Sequence, residues 1–545
     1  MNEDNPGRGA SRVDAIVVGA GFAGLYMLYR LRAAGLSTRV FEAGGGVGGT
    51  WYWNRYPGAR CDVESLEYSY QFDDELQQEW EWTERYAGQP EILRYLEHVA
   101  DRYDLRRDIQ FNTRVTAATF DEDDSRWAVY TTGADGRTAE TSARYLIMAT
   151  GCLSSANVPD LEGMASFRGD VFHTGRWPHE GVDFTGRRVA VIGNGSSGIQ
   201  AIPVIAQEAA ELVVFQRTPN YSVPARNGPL DPEEQRAIKS DYANLRAKNR
   251  MMPGGFGARF PPSAASALDA DPAERQAVFE ERWEKGGFGF LGSYTDLILN
   301  RSANDTAADF VRAKIREIVR DPNVAEMLTP SQVIGCKRLC LDSGYFETFN
   351  RPTVRLVDIK ATPIEKVTPA GIRTSDADFD VDCIVLATGF DAMTGTLLRI
   401  DIRGRGGATL RDAWSAGPRT YLGLGVPEFP NMFVIAGPGS PSVLTNMVVS
   451  IEQHVDWITA CIEHLRAHGY TTIEADADAA DEWVQHVNTV AGFTLFPTCN
   501  SWYLGANIEG KPRVFMPLLG FPPYAETCEQ VAAAGYKGFV LSQPE

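Results

Sequence analysis

Two stretches of this sequence have the composition to hold a pyrophosphate. Gly19-Ala20-Gly21-Phe22-Ala23-Gly24 and Gly193-Asn194-Gly195-Ser196-Ser197-Gly198 share the spacing G-x-G-x-x-G. Glycines in a tight turn let the backbone approach a phosphate, and a helix starting there offers its free N–H groups and positive dipole end to the anion. What lies downstream differs between the two. The first unit runs on to Glu42, whose carboxylate can accept both ribose hydroxyls of an adenosine that lacks a 2′-phosphate. The second ends in Gln216-Arg217, where no acid stands and a guanidinium suits a 2′-phosphate. This pairing predicts FAD in the first unit and NADPH in the second, with hydride passing between them, as in a flavoprotein oxidoreductase.

A lone G-x-G-x-x-G says little, so the surrounding elements carry the inference. Ala15–Val18 reads as a strand, and Leu25, Leu28, Tyr29 and Leu31 then recur at helical spacing until Gly35 ends the helix. Thr38–Phe41 reads as the next strand. Residues 187–217 repeat the plan, and two short strands, LIMATG at 146–151 and IVLATGF at 384–390, close the two sheets with the same Thr-Gly ending. Between about 226 and 329 the composition turns to charged helices. Asp231-Pro232 with Glu234, and Asp271-Pro272 with Glu274, place a cap, a proline at N1 and an acid at N3, and Gly286-Gly287 marks a helix end. Asp121–Asp124 reads as a solvated turn between antiparallel strands. The expected fold is α/β, with two Rossmann-like dinucleotide-binding domains and a helical insertion. The FAD-binding domain takes 1–150 and 386–545, the NADPH-binding domain takes 151–225 and 330–385, and the insertion takes 226–329.

Composition bounds the rest. With 44% apolar and 23% charged residues the 545-residue chain is an ordinary soluble protein, and its net charge of −19 argues against nucleic-acid or anionic-membrane partners. The apolar run Ala15–Tyr29 is too short and glycine-broken to span a bilayer, and no signal-peptide pattern precedes it. Eight cysteines without a Cys-x-x-Cys pair predict reduced thiols and a cytoplasmic setting; the spacing of Cys336 and Cys340 is only a weak redox-pair signal. No His/Cys cluster has metal-ligand spacing. A small-molecule substrate and a monomer or weak homo-oligomer are expected.

Longer motifs narrow the reaction. Residues 48–62, GGTWYWNRYPGARCD, contain Gly49, Trp51 and Asp62, and residues 167–178 contain Phe167, Gly169, His173, Trp177 and Pro178. The first resembles a second fingerprint of type I Baeyer–Villiger monooxygenases, and the other fits that family's F-x-G-x-x-x-H-x-x-x-W-P signature. The resemblance continues through FQRTPNYSVPARNGPLDP, KRLCLDSGYFETFNRPTV, LATGFDAMTGTL, GPRTYLGLG and SWYLGANIEGKPRVFMP, and within the family it is greatest to the phenylacetone and steroid monooxygenase branch. It implies FAD, NADPH with NADP+ retained through catalysis, O2 as co-substrate, a C4a-peroxyflavin, and insertion of one oxygen beside a ketone carbonyl to give an ester or lactone.

The resemblance also assigns residues. Arg338 matches the arginine that holds the peroxide and adduct anions, and Asp62 the acid that orients it. Lys337 matches a second 2′-phosphate ligand beside Arg217. Trp502 matches a mobile loop, near 490–505, that folds over NADP+. Ser442, Val443, Leu444 and Met447 match a substrate pocket suited to bulky aryl, cyclic or steroid-like ketones. His173 is expected to make hydrogen bonds at a hinge between domains and to take no part in catalysis. A glycine fewer than in close relatives, in Leu518–Thr527, leaves the C-terminal packing open. The runner-up is an N-hydroxylating or sulfoxidising FAD/NADPH monooxygenase, which needs no arginine at the peroxide.

Overall fold

In a computed structural model of the protein, residues 11–513, 516 and 520–543 are described. The strand Ser11–Val18 is buried over its last four residues, as a strand covered on both faces requires. It pairs in parallel with Thr38–Phe41 on one side and Thr138–Met148 on the other. Thr138–Met148 also carries an antiparallel partner, Arg126–Gly133, and a parallel one, Met432–Val434, which brings the C-terminal third of the chain back to this sheet. The helix Phe22–Ala33 covers the sheet and packs against the long helix Met447–His468. Asp121–Asp124 forms the exposed turn between Thr113–Asp121 and Arg126–Gly133.

The second sheet is wholly parallel, in the order Val354–Asp358, Glu211–Gln216, Arg188–Ile192, Cys383–Leu386, Asp170–His173. Its last member lies in the Phe167–Pro178 stretch, so that stretch supplies an edge strand as well as joining two units. Five helices lie between 232 and 328, three of them opened by Asp231, Asp271 and Asp321 side chains that accept backbone N–H groups. Gly286, at φ 68°, ends the helix that Asp271 opens, Pro272–Lys285.

The repeated Ala-Thr-Gly words have a steric reason. A Cβ on Gly19 would lie 2.6 Å from the Ala149 carbonyl oxygen, and one on Gly193 would lie 2.5 Å from that of Ala387. Each sheet therefore lets the first turn of its fingerprint press onto the strand that ends in Ala-Thr-Gly, and only glycine fits. Both prolines of Gly520-Phe521-Pro522-Pro523-Tyr524 sit in the first turn of the helix Phe521–Ala533, and the Tyr524 hydroxyl donates to the Leu422 carbonyl at 2.7 Å. Leu518 and Leu519 of that segment, and Val514, Phe515 and Pro517 of the matched motif before it, lie outside the described residues.

One expectation is overturned. Cys336 is joined to Cys499 in a disulfide, while the other six cysteines, Cys340 included, are free and buried. Local spacing could not show this, because the partners are 163 residues apart and meet only through the tertiary fold. Among the described residues no helix is long and apolar enough to cross a membrane, and no cluster of three or more His, Cys, Asp or Glu could hold a metal.

The Met447–His468 helix also buries a carboxyl. Glu452 Oε1 accepts the N–H groups of Gln71 at 2.6 Å and Phe72 at 3.1 Å, whereas Oε2 has no partner among the described residues. Burial pushes its pKa up to about 7, against the opposing hydrogen bond from Gln71. A carboxyl raised in the folded state favours folding when protonated, so its contribution is full below the unfolded value of 4.5 and is lost as pH rises through about 7. The loss is roughly 3 kcal/mol. Glu452→Gln should therefore raise the thermal midpoint at pH 8.5 and leave it little changed at pH 5; Glu67, also raised to about 7, keeps the residual slope.

Candidate active site

The guanidinium of Arg338 sits where the two nucleotide units meet. Its Nε donates to Asp62 Oδ2 at 2.5 Å and one terminal nitrogen to Asp62 Oδ1 at 2.6 Å, a bidentate pair. The other terminal nitrogen donates to the Val443 carbonyl at 2.7 Å. One face of the group lies 4.9 Å from the Phe288 ring centroid, and the Tyr503 hydroxyl adjoins it. Burial alone would disfavour the charge, but Asp62 and Tyr503 outweigh it and hold the group cationic. A guanidinium has five N–H donors; Asp62 and Val443 take three, and the Tyr503 hydroxyl adjoins the group as well. The rest remain for oxygens in the cavity that both Arg338 and Asp62 line.

That cavity is continuous, about 1620 Å³, and runs from the first glycine turn past Arg338 to the second. At one end are Gly19, Gly21, Glu42, Gly49 and Trp51. Glu42 is aimed by the N–H groups of Ala20, at 2.8 Å, and Gly44, at 2.7 Å, which leave lone pairs on both oxygens. A Cβ on Gly49 would lie 2.9 Å from the Gly21 Cα, so the second fingerprint packs directly on the first. Trp51 Nε1 reaches the Tyr68 hydroxyl at 3.3 Å. A carboxylate beside a glycine-lined turn fits the ribose and pyrophosphate of FAD.

At the other end, Gly193, Gly195, Ser196 and Ser197 line the cavity at the start of the helix Ser196–Glu208, with Gly198 buried beneath them against the Gly193 carbonyl. Arg217 and Lys337 face the same space. Burial and then the charge of Arg217 lower the pKa of Lys337, and neither cation has a carboxylate partner among the described residues. Gln216 is buried away from the cavity lining, its carbonyl accepting from Asn194 at 2.7 Å and its amide donating to the Met327 carbonyl. Two unneutralised cations at the end of this strand fit the 2′-phosphate of NADPH.

Comparison with known proteins agrees with this geometry. Residues 16–248 match the family model described as pyridine nucleotide-disulphide oxidoreductase. A Baeyer-Villiger monooxygenase from Pseudooceanicola batsensis is 43% identical over 97% of this chain and 96% of its own length. The chain belongs to the flavin-dependent Baeyer–Villiger monooxygenases. A structure titled oxidized steroid monooxygenase bound to NADP superposes with a TM-score of 0.93 at 53% identity, covering 98% of this chain and all of the other. A phenazine N-monooxygenase from Lysobacter antibioticus is 41% identical over 97% of both chains.

In this monooxygenase the other expected site residues fall into four groups. Val443, Met447 and Trp502 line the cavity. Leu444 packs against the same small cluster as Trp502 and Tyr503. Ser442 departs from expectation: it is fully buried, at φ 44°, and its hydroxyl donates inward to the Ala436 carbonyl at 3.3 Å. The motif residues form a scaffold. His173 Nδ1 accepts the Gly175 N–H at 2.9 Å, so its Nε2–H is left for the Asn157 carbonyl, with Thr388 alongside. Burial lowers its pKa, which keeps the ring neutral. Phe167 closes over Gly169, Trp177 is buried between Phe172 and Phe184, and Pro178 leads the chain out.

Several working residues escape motif reading. Gln200, on the second fingerprint's helix, accepts from the Tyr56 hydroxyl at 2.8 Å and donates to the Arg60 carbonyl at 3.1 Å, tying the two units together. Tyr503 and the Val443 carbonyl complete the Arg338 cage. Tyr503 lies within the matched SWYLGANIEGKPRVFMP segment and Val443 among the expected pocket residues, but no sequence signal marks either as a partner of Arg338.

Proposed function

We propose that this protein is an FAD- and NADPH-dependent monooxygenase that inserts one atom of O2 beside the carbonyl of a bulky aryl, cyclic or steroid-like ketone, giving an ester or lactone. The observation that carries this reading is Arg338, a fixed cation at the junction of a ribose-accepting acid and a phosphate-binding pair. Bound FAD, reduced by NADPH, supplies the electrons and the place where O2 is activated.

The chain's own groups do the rest. Attack on a carbonyl concentrates negative charge on oxygen, and a preorganised guanidinium in a site screened from water stabilises that charge without reorganising. Asp62 and the Val443 carbonyl fix its plane, and Phe288 supports its face. Arg217 and Lys337 hold the nucleotide's phosphate, and Trp502, in the Trp502–Leu504 turn, lines the same cavity, which supports retention of NADP+. Val443 and Met447 offer an adaptable apolar wall to a large ketone.

The N-monooxygenase relative favours oxidation at nitrogen as a second reading. A panel of aryl, cyclic and steroid ketones beside aromatic N-heterocycles separates the two. Esters or lactones are expected from the ketones. N-oxides without any ester would replace the reading.

A further inference from the structure

The disulfide joins the two segments that meet at Arg338. Cys336 opens the run Cys336-Lys337-Arg338, which carries both a phosphate-facing cation and the caged guanidinium. Cys499 opens the segment that bears Trp502 and Tyr503. Both cysteines are buried, with Val333 and Ile298 beside them, and their Cα atoms are 6.3 Å apart, within the range a disulfide spans. The far end of the segment is held differently. Lys511 pairs with Asp391 and donates to the Ala392 carbonyl at 2.6 Å, and the Asn507 amide donates to the Phe390 carbonyl at 2.8 Å. With the sulfurs bonded, the stretch that lines the cavity is tied covalently at one end and by an ion pair at the other. With them reduced, the Cys499 end keeps only packing of Phe496 and Tyr503 and the hydrogen bond from the Leu495 N–H to the Ile298 carbonyl at 2.9 Å.

We propose that Cys336 and Cys499 form a reversible redox latch that pins the Trp502–Tyr503 segment over Arg338 and slows release of the nucleotide. The proposal rests on the reading of Arg217 and Lys337 as nucleotide-binding cations. Oxidation needs a two-electron acceptor, and hydrogen peroxide serves: its O–O bond breaks, the sulfurs lose two electrons and two protons, one S–S bond forms and two waters leave. Hydrogen peroxide is also the two-electron reduction product of O2 when no oxygen is transferred to substrate. A phosphine with water, or two equivalents of a thiol, returns the electrons and protons. Six of the eight cysteines are free, buried and unpaired, so the pairing is selective for the two that bridge these segments.

The test uses FAD-loaded enzyme. Thiol titration in denaturant should find six thiols after peroxide treatment and eight after phosphine reduction. Dissociation of NADP+, followed by stopped flow, should be on the order of tenfold faster in the reduced protein, since one of two tethers is lost. Cys336→Ser and Cys499→Ser should each release NADP+ at the fast rate whatever the treatment, with their flavin spectra reporting an intact fold. Eight thiols after peroxide, or one release rate in both redox forms, would overturn the latch. If NADP+ binding requires Arg217 but its release ignores redox state, only the latch falls. If Arg217→Ala binds NADP+ as tightly as the parent, the nucleotide reading falls as well.

Discussion

Arg338→Ala should purify with FAD bound, accept hydride from NADPH, and form ester at least ~10²–10³-fold more slowly. The cation lines the cavity apart from both glycine turns, so nucleotide binding and reduction should survive its loss. What disappears is charge stabilisation during oxygen transfer, and loss of one preorganised donor of this kind costs ~10²–10³ in kcat. The variant should also lose stability, because Asp62 is left without its bidentate partner and both side chains are only about one-fifth exposed (20% and 22%). Thermal midpoints separate the two effects. Arg338→Lys restores the charge but cannot span Asp62 and Val443 together, so partial stability should return with little ester formation.

Arg217→Ala and Lys337→Ala should each shift preference from NADPH toward NADH. One charge-assisted contact to the phosphate is worth roughly 1.5–3 kcal/mol, on the order of 10- to 100-fold in the NADPH/NADH ratio. Arg217 is exposed, so its effect should shrink as salt is added, whereas the half-buried Lys337 should show a larger and less salt-sensitive one. The KM for NADPH should rise in both variants while that for NADH stays nearly constant. An equal rise for both nucleotides would place these cations on the pyrophosphate.

Features were legible in the sequence where the physics is local. The glycine turns and the Asp-Pro helix starts each depend on neighbours a few residues away, and the structure sets them as expected, while Glu42 and Arg217 both line the cavity. The Ala-Thr-Gly words are visible as a repeat, but their reason, a carbonyl pressing on the first glycine, arises only in the tertiary fold. Arg338 and Asp62 stood out only through family resemblance, since nothing near either residue marks a pair 276 positions apart. The Val443 carbonyl could not be foreseen, because a backbone acceptor leaves no trace in residue identity. The same applies to Ser442: its residue type suits a pocket wall, yet a left-handed backbone turns its hydroxyl into the protein. The disulfide was misread for a related reason, because cysteine spacing reports pairing only when the partners are close in sequence. Phe167–Pro178 was recognisable as a motif, while its place at the edge of the second sheet follows from pairing with Cys383–Leu386, far along the chain.

Isotope labelling tests the central claim most directly. The purified enzyme, supplied with NADPH, 18O2 and the ketone it converts best, should yield an ester or lactone carrying one 18O atom, with the second oxygen of the ester group unlabelled. An ester without label, or consumption of NADPH with no oxygenated ketone product across the panel, would contradict it.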